Sequence, residues 1–213
     1  AELRAYAILI VVAAGLVAAG LVRSGEGPPG GVAFDTAFQV VSIVTTTGFA
    51  TADFASWPAS ARSVLVALMV VGGCAGSTAG GVKIVRILVG WRAAMREVRL
   101  TFSPNSVIAI AAGRETVPES SVRGVVALLV LWAAAWVVGT VLLSIGNPGL
   151  VTAATASLTT LSNVGPGLAA VGPAGDFTFF ASWQKLVMVL LMWLGRLEFL
   201  AVLALFQRTF WRR

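Results

Sequence analysis

Apolar residues fall in blocks along this chain, and the blocks come in two sizes. Four are long, at residues 5–22, 64–91, 124–145 and 186–206; two are short, at 32–44 and 149–161, each lying between a pair of long ones. Crossing the hydrocarbon layer takes about 20 apolar residues, so the long blocks can span it and the short ones fit buried core helices or re-entrant segments. The pattern predicts span, short helix, loop, span, and then the same order again. One long block is interrupted: residues 72–81 read GGCAGSTAGG. The elements together predict an all-α membrane protein.

Composition narrows the class. The chain has 213 residues, 58% hydrophobic and 11% charged, where a soluble domain carries roughly 25% charged residues. Histidine is absent and Cys74 is the single cysteine, which excludes a disulfide framework and a Cys/His metal cluster. The net charge of +6 does not point to nucleic acid, because the basic residues gather near the ends of apolar blocks. Arg86, Arg92, Arg96 and Arg99 trail the second long block, and Arg208, Arg212 and Arg213 trail the fourth. Under the positive-inside rule both ends are cytoplasmic. The short segments and their loops then enter from the outer face, with Arg23, Glu26, Asp53 and Asp176 on that side. No small-residue cleavage site in a polar setting follows the first block, so it reads as a span, not a signal peptide.

The order of blocks is an internal repeat. A shift of 117 lays Ala37 on Ala154 and Thr45-Thr46-Thr47-Gly48 on Ser162-Asn163-Val164-Gly165; a shift of 123 lays Leu68–Gly72 on Leu191–Gly195. The six-residue difference falls in the loop after the short segment, where insertions belong. The division is therefore 1–91, a first unit with span 5–22, short helix 32–44, loop 45–49 and span 62–91 broken at 72–81. A cytoplasmic linker, 92–122, follows. The second unit, 123–213, has span 124–145, short helix 149–161, loop 162–167 and span 184–207. Within the linker, Ser103-Pro104-Asn105 signals a turn or helix start, Ile108–Ala112 is apolar, and Arg114, Glu115 and Glu119 follow. It reads either as a linker carrying a short interfacial helix or as a plain flexible connection.

The two loops, Thr45–Phe49 and Ser162-Asn163-Val164-Gly165-Pro166-Gly167, are the candidate chemistry. Each closes a short helix with small or hydroxyl residues before a glycine, whose torsional freedom lets consecutive carbonyls point to one side. Carbonyl rings of this kind replace the hydration shell of a cation, aided by the negative C-terminal ends of short helices. The plainer reading is a helix C-cap and a turn. It suits one loop alone; two loops in register between spans favour a pore.

Gly72, Gly76 and Gly80 have the small-xxx-small spacing of close helix packing, yet five glycines with Ser77 and Thr78 exceed that need and weaken any helix. A phosphate-binding loop is excluded, since lysine does not directly follow the glycine pair and no soluble strand precedes it. Unwound backbone at membrane depth must face protein or a cavity. Arg196 lies mid-span, where a charge costs at least ~2.5 kcal/mol and marks a functional site by default. A structural pair with Glu198 is the alternative, but positions two apart lie about 200° around a helix, so Glu198 has Lys83 or Arg86 as candidate partners. Lys83 either holds the glycine segment or snorkels to the interface. Cys74 reads as a packing residue. Trp132, Trp136, Trp183 and Trp193 read as lipid-facing or interfacial.

On the TTTGF loop, the GGCAGSTAGGVKIVR stretch at 72–86, the SNVGPGL loop at 162–168 and LMWLGRLEFL at 191–200, the chain resembles the Trk/Ktr/HKT superfamily of potassium transport proteins. The match is to the C-terminal two repeats of a bacterial subunit of the TrkH/KtrB type. The resemblance implies four repeats of helix, pore helix, filter loop and helix around one pore, of which two are present. Starting just before a span, the chain is expected to be a fragment whose pore needs the missing N-terminal repeats. It implies a potassium filter at Thr45, Thr46, Thr47, Gly48, Ser162, Asn163, Val164 and Gly165. It also implies a gate at Gly76, Ser77, Thr78, Ala79, Gly80 and Lys83, with Arg196 projecting into the pore as an electrostatic barrier. Glycine at the key filter position goes with potassium in this family, and serine in the first repeat with sodium; Asn163 and Val164 depart from the Thr-Thr of the first loop, implying weaker discrimination. The resemblance implies potassium as the transported ion, with no organic cofactor. The implied setting is the bacterial inner membrane, with a homodimer, a cytosolic nucleotide-binding regulatory subunit and membrane lipids as partners, and no nucleic acid. Arg92, Arg96, Arg99, Arg212 and Arg213 suit an acidic partner or anionic lipid equally well. The competing readings are a noncatalytic membrane scaffold with glycine-mediated packing and an intramembrane enzyme. The latter lacks histidine and clustered carboxylates for acid–base work.

Overall fold

Residues 2–25, 29–103, 108–112 and 115–197 are described in the computed structural model. Most of them are helical. Helix α1 (Glu2–Ser24) is followed by the short α2 (Pro29–Val44) and by α3 (Ala59–Val70). The chain then leaves the helical path as β1 (Val71–Gly72) and β2 (Val82–Lys83), and resumes it as α4 (Ile84–Phe102). A hairpin, β3 (Ala111–Ala112) with β4 (Glu115–Thr116), precedes α5 (Glu119–Ser144), the short α6 (Leu150–Ser162) and α7 (Ser182–Arg196).

Among the described helices, α1 and α5 are long and apolar enough to cross a membrane, whereas α2, α3 and α6 are shorter apolar helices. Both long helices leave much of their apolar surface open: Val11, Val12 and Leu16 on α1, and Val130, Val137 and Val141 on α5, are exposed. Only narrow stripes are buried, Ala13, Val17 and Leu21 on α1 and Val122, Leu128, Trp132, Gly139 and Leu143 on α5. Such helices suit an apolar surround, where outward faces need not be polar.

The packing has the same plan in both halves. Helix α1 lies against α2 and α3, as α5 lies against α6 and α7; α2 meets α3, as α6 meets α7; and α3 joins the halves by touching α6. One core cluster runs across them, including Val40, Ile43, Leu65 and Met69 from the first half and Leu158, Leu161 and Val164 from the second. Helix ends left with orphan carbonyls are met by side chains. Tyr6 donates its hydroxyl hydrogen to the Val44 carbonyl (3.3 Å) at the end of α2. Buried Gln184, in the first turn of α7, donates to the Leu143 and Ile145 carbonyls (3.1 and 2.7 Å) at the end of α5.

Three expectations change here. Helix α4 continues to Phe102, well past residue 92. The apolar stretch from Ile108 forms no helix: it leads into β3, which pairs antiparallel with β4 as Ala111↔Thr116 and Ala112↔Glu115. Its carbonyls thus find strand partners, and Arg92 donates to the Ala111 carbonyl from the side of α4. Trp132 and Trp136 are not lipid-facing. Trp132 is buried, and Trp136 donates its indole N–H to the Ala154 carbonyl (3.0 Å), because both lie on the side of α5 that faces the core. Trp183 and Trp193 are exposed. Pro104, Asn105, Arg114, Glu198, Arg208, Arg212, Arg213 and the part of the fourth block beyond residue 197 lie outside the described residues.

Arg96 on α4 grips Glu119, the first residue of α5, with its two terminal guanidinium nitrogens (2.7 and 3.0 Å). This holds the Glu119 carboxyl below its ordinary range and the guanidinium above its own. A lowered carboxyl pKa means that the pair stabilises the fold above the ordinary carboxylate range and stops doing so as pH falls through the lowered value. The melting-temperature gap between wild type and Glu119→Gln should therefore be small at neutral pH and close as the solution is acidified; a gap independent of pH would reject this. At Gly139 a side chain would press on Ser157 Oγ and on Leu191. Gly139→Leu should therefore cost about 1–3 kcal/mol by overpacking, read as a lower melting temperature in detergent.

Candidate functional site

The loops after α2 and α6 end their helices with the same pair of main-chain bonds. After α2, the Thr46 N–H donates to the Ile43 carbonyl (3.0 Å) and the Thr47 N–H to the Ser42 carbonyl (2.9 Å). After α6, Asn163 donates to Thr160 (3.2 Å) and Val164 to Thr159 (2.9 Å). This pair of bonds, five-to-two and six-to-one, is the Schellman helix ending. Each has its left-handed residue in the expected place, Thr46 at φ 56° and Asn163 at φ 55°, and each is followed two residues on by a glycine of positive φ, Gly48 at 77° and Gly165 at 115°. Every one of these positions is offset by 117.

Local chemistry explains one loop better than the other. Asparagine tolerates the left-handed region, so Asn163 is at ease there; a β-branched residue such as Thr46 is a real outlier, strained by roughly 1–2 kcal/mol. The Thr46 hydroxyl has a compensating contact: it accepts the Gly80 N–H (3.1 Å) from the glycine-rich segment. The Thr45 hydroxyl donates back to the Val41 carbonyl (2.7 Å) and lies 2.9 Å from the Thr47 hydroxyl.

The two loops meet. A methyl group on Gly48 would collide with the Val164 carbonyl, so the main chains of the two loops are in contact there. Gly80 is similarly pressed on the Ser162 carbonyl, and Gly195 of α7 on the Leu161 carbonyl. The Asn163 side chain donates to the Met192 carbonyl (3.2 Å), tying the second loop to α7.

The glycine-rich segment is not helical, so small-xxx-small helix packing does not describe it. Strands β1 and β2 pair in parallel, Val71↔Val82 and Gly72↔Lys83. Between them the chain turns back, with Ser77 N–H donating to Cys74 (3.0 Å) and Gly76 and Gly81 at positive φ. The Ala75 N–H donates to the Glu2 carboxylate (2.6 Å) at the start of α1. The segment thus touches both loops with its Gly80 end and α1 with its Ala75 turn.

Beside it lies a cavity of about 130 Å³ bordered by Ser77, Thr78, Ala79, Lys83, Arg86, Trp132 and Arg196 among others. Lys83, Arg86 and Arg196 thus face one small space although they come from α4, its N-cap and the end of α7. Arg196 is exposed and has no hydrogen bond or ion pair among the described residues. The structure therefore gathers Gly80, Ser77, Thr78, Ala79, Lys83 and Arg196 into one region; Gly76 stands at the turn with open space around it.

Two functional candidates were missed. Ser42 and Thr159, one turn before each loop ends its helix, donate their hydroxyls across the loop to the Phe49 carbonyl (2.6 Å) and the Pro166 carbonyl (3.1 Å). The signal was available: the 117-residue shift that aligns the loops also aligns Ser42 with Thr159. Both are buried.

The comparisons with known proteins fit this architecture. The family model described as "TrkH: Cation transport protein" matches residues 8–212. The chain belongs to the TrkH family. Among relatives, the Trk system potassium uptake protein TrkH of Halomonas elongata is 39% identical over 180 residues, 83% of this chain and 36% of that protein. The TrkI protein of the same organism is 34% identical over 211 residues, 97% of this chain and 42% of that protein. The crystal structure of the potassium transporter TrkH from Vibrio parahaemolyticus superposes with a TM-score of 0.89 at 34% identity, covering 99% of this chain and 45% of that one. The chain therefore spans less than half the length of each of these relatives.

Gly48→Ala places a methyl group on the Val164 carbonyl and a side chain at φ 77°. A clear drop in melting temperature in detergent is expected. Gly15→Ala, in α1 with nothing within 4 Å of the new methyl, should be neutral or stabilising by up to about 1 kcal/mol. Equal effects would disprove the close approach.

Proposed function

We propose that this chain is half of a potassium-uptake pore whose selectivity filter is made from main-chain carbonyls. The observation that carries the reading is the bonding frame shared by the loops at 45–49 and 162–167, together with their contact at Gly48 and Val164. Two equal helix endings aimed at one place supply two parts of a ring, and the negative ends of α2 and α6 favour a cation there. Filter contacts are assigned to Thr45, Thr46, Thr47, Gly48, Ser162, Asn163, Val164 and Gly165. Two tandem units, residues 1–91 and 123–213 joined by the linker, are assigned as pore repeats, and two further repeats complete the ring. Potassium is the cargo, and the protein is assigned as a transporter, not an enzyme.

The gate is assigned to the glycine-rich segment, with Gly76, Ser77, Thr78, Ala79, Gly80 and Lys83, and to Arg196. What supports this is position: Gly80 of the segment presses on the Ser162 carbonyl of the second loop and donates to the Thr46 hydroxyl of the first, and Arg196 borders the cavity beside it. Arg196, at the border of that cavity, is the cation assigned to oppose a passing cation. The setting is the bacterial inner membrane, multi-pass, with the loops on the outer face. A second copy of the full-length subunit and a cytosolic nucleotide-binding subunit are the proposed partners.

Full-length protein in liposomes should take up rubidium down a potassium gradient, and potassium should compete better than sodium. No flux under any condition would favour a noncatalytic scaffold in which the glycines serve packing alone. Arg196→Ala should raise flux several-fold by removing one cation from the path; flux unchanged from wild type would remove Arg196 from the barrier.

A further inference from the structure

The two hydroxyls beneath the loops are not explained by helix packing, and they point to a role in shaping the ion path. Ser42 and Thr159 occupy matching places, each reaching over seven residues to a carbonyl on the far side of its loop. Both sit where the main chain already makes the six-to-one bond, so the hydroxyl adds a second tie between the same helix turn and the loop beyond it. The second loop is tied more fully. The Thr159 hydroxyl also accepts the Gly165 N–H (2.9 Å), so one oxygen holds Gly165 and Pro166 together. In the first loop, Gly48 reaches only the Ser42 carbonyl, at 3.4 Å.

The tie has a consequence for the carbonyl row. The Phe49 and Pro166 carbonyls are turned back to the helix by these bonds and are engaged there. The carbonyls left to face an ion therefore end at Gly48 and Gly165, the two positive-φ glycines. We propose that Ser42 and Thr159 are positioning residues which close the outer end of the filter and hold its two glycines in register, and so set ion selectivity without touching the ion. The proposal rests on the filter reading above and adds the residues that hold that filter in shape.

A buried hydroxyl that bonds two main-chain groups cannot be removed silently, because both groups are left unpaired. Thr159→Val keeps the volume and removes the hydroxyl; Thr159→Ser keeps the hydroxyl. In liposomes with the full-length protein, Thr159→Val should still pass rubidium but lose potassium-over-sodium selectivity by about tenfold, while Thr159→Ser stays near wild type. Ser42→Ala should lose selectivity less, since that hydroxyl makes one loop bond and Thr159 makes two; Ser42→Thr should restore it. A merely structural role would instead lower yield and flux together and leave selectivity intact in the surviving protein, which overturns the proposal. So does wild-type selectivity in Thr159→Val, or equal damage from Thr159→Val and Thr159→Ser. Should Thr159→Val not fold, the Ser42→Ala and Ser42→Thr comparison decides alone. A wild-type protein that passes no rubidium overturns the filter reading and this one with it; a selective wild type with an equally selective Thr159→Val overturns only this one.

Discussion

Main chain against main chain is the constraint on which this structure depends. At Gly48, Gly80 and Gly195 a single methyl group would strike a carbonyl of the opposing loop or helix end. Those three contacts join the first loop to the second, the glycine-rich segment to the second loop, and α7 to the end of α6. No side-chain chemistry can replace them, since what is needed is the absence of a side chain. Gly15 in α1, where an added methyl group would meet nothing within 4 Å, has no such duty.

Around that centre the polar groups are handled locally. Helix α6 is buried along nearly its whole length although it holds Thr152, Thr155, Ser157, Thr159, Thr160 and Ser162. Buried hydroxyls are costly unless bonded, and most of these have a partner: Thr155 reaches Val151 (2.7 Å), Ser157 reaches Trp136 (3.0 Å) and Thr160 reaches Ala156 (2.7 Å). The helix is thereby made compatible with an interior and still ends in a polar loop. The strain of Thr46 in the left-handed region has a similar local answer, since its hydroxyl accepts the Gly80 N–H. The loop and the glycine-rich segment thus share one bond, and movement of either must break or carry it.

Much of the plan was legible in residue order. Block lengths separated α1 and α5 from the shorter α2 and α6, and the run of glycines after Val70 marked where the second block leaves the helix. The loops were found from their hydroxyl-then-glycine pattern, and reading them as helix caps was also right, because a Schellman ending is the local structure from which each loop is built. Other features were hidden. The hairpin at β3 and β4 lies in an apolar stretch too short for periodicity to tell strand from helix. Trp132 and Trp136 carry no mark of facing the core, since an apolar helix in an apolar surround has no polar face to orient it. Arg196 lies more than a hundred residues beyond Lys83 and Arg86, and it meets them at the cavity only through packing.

By itself the order of residues determined what is short-range: which segments are helical, where glycine breaks them, and the 117-residue offset that pairs Ser42 with Thr159 and Gly48 with Gly165. These follow from apolar length, hydroxyl placement and glycine torsions, all readable within a few residues. The tertiary structure alone decided that the two loops touch, that Gly80 reaches both, and that Arg196 comes beside Lys83. Such contacts depend on helices packed from both halves of the chain, and the missing side chain at a glycine shows its purpose only when the opposing carbonyl is in place.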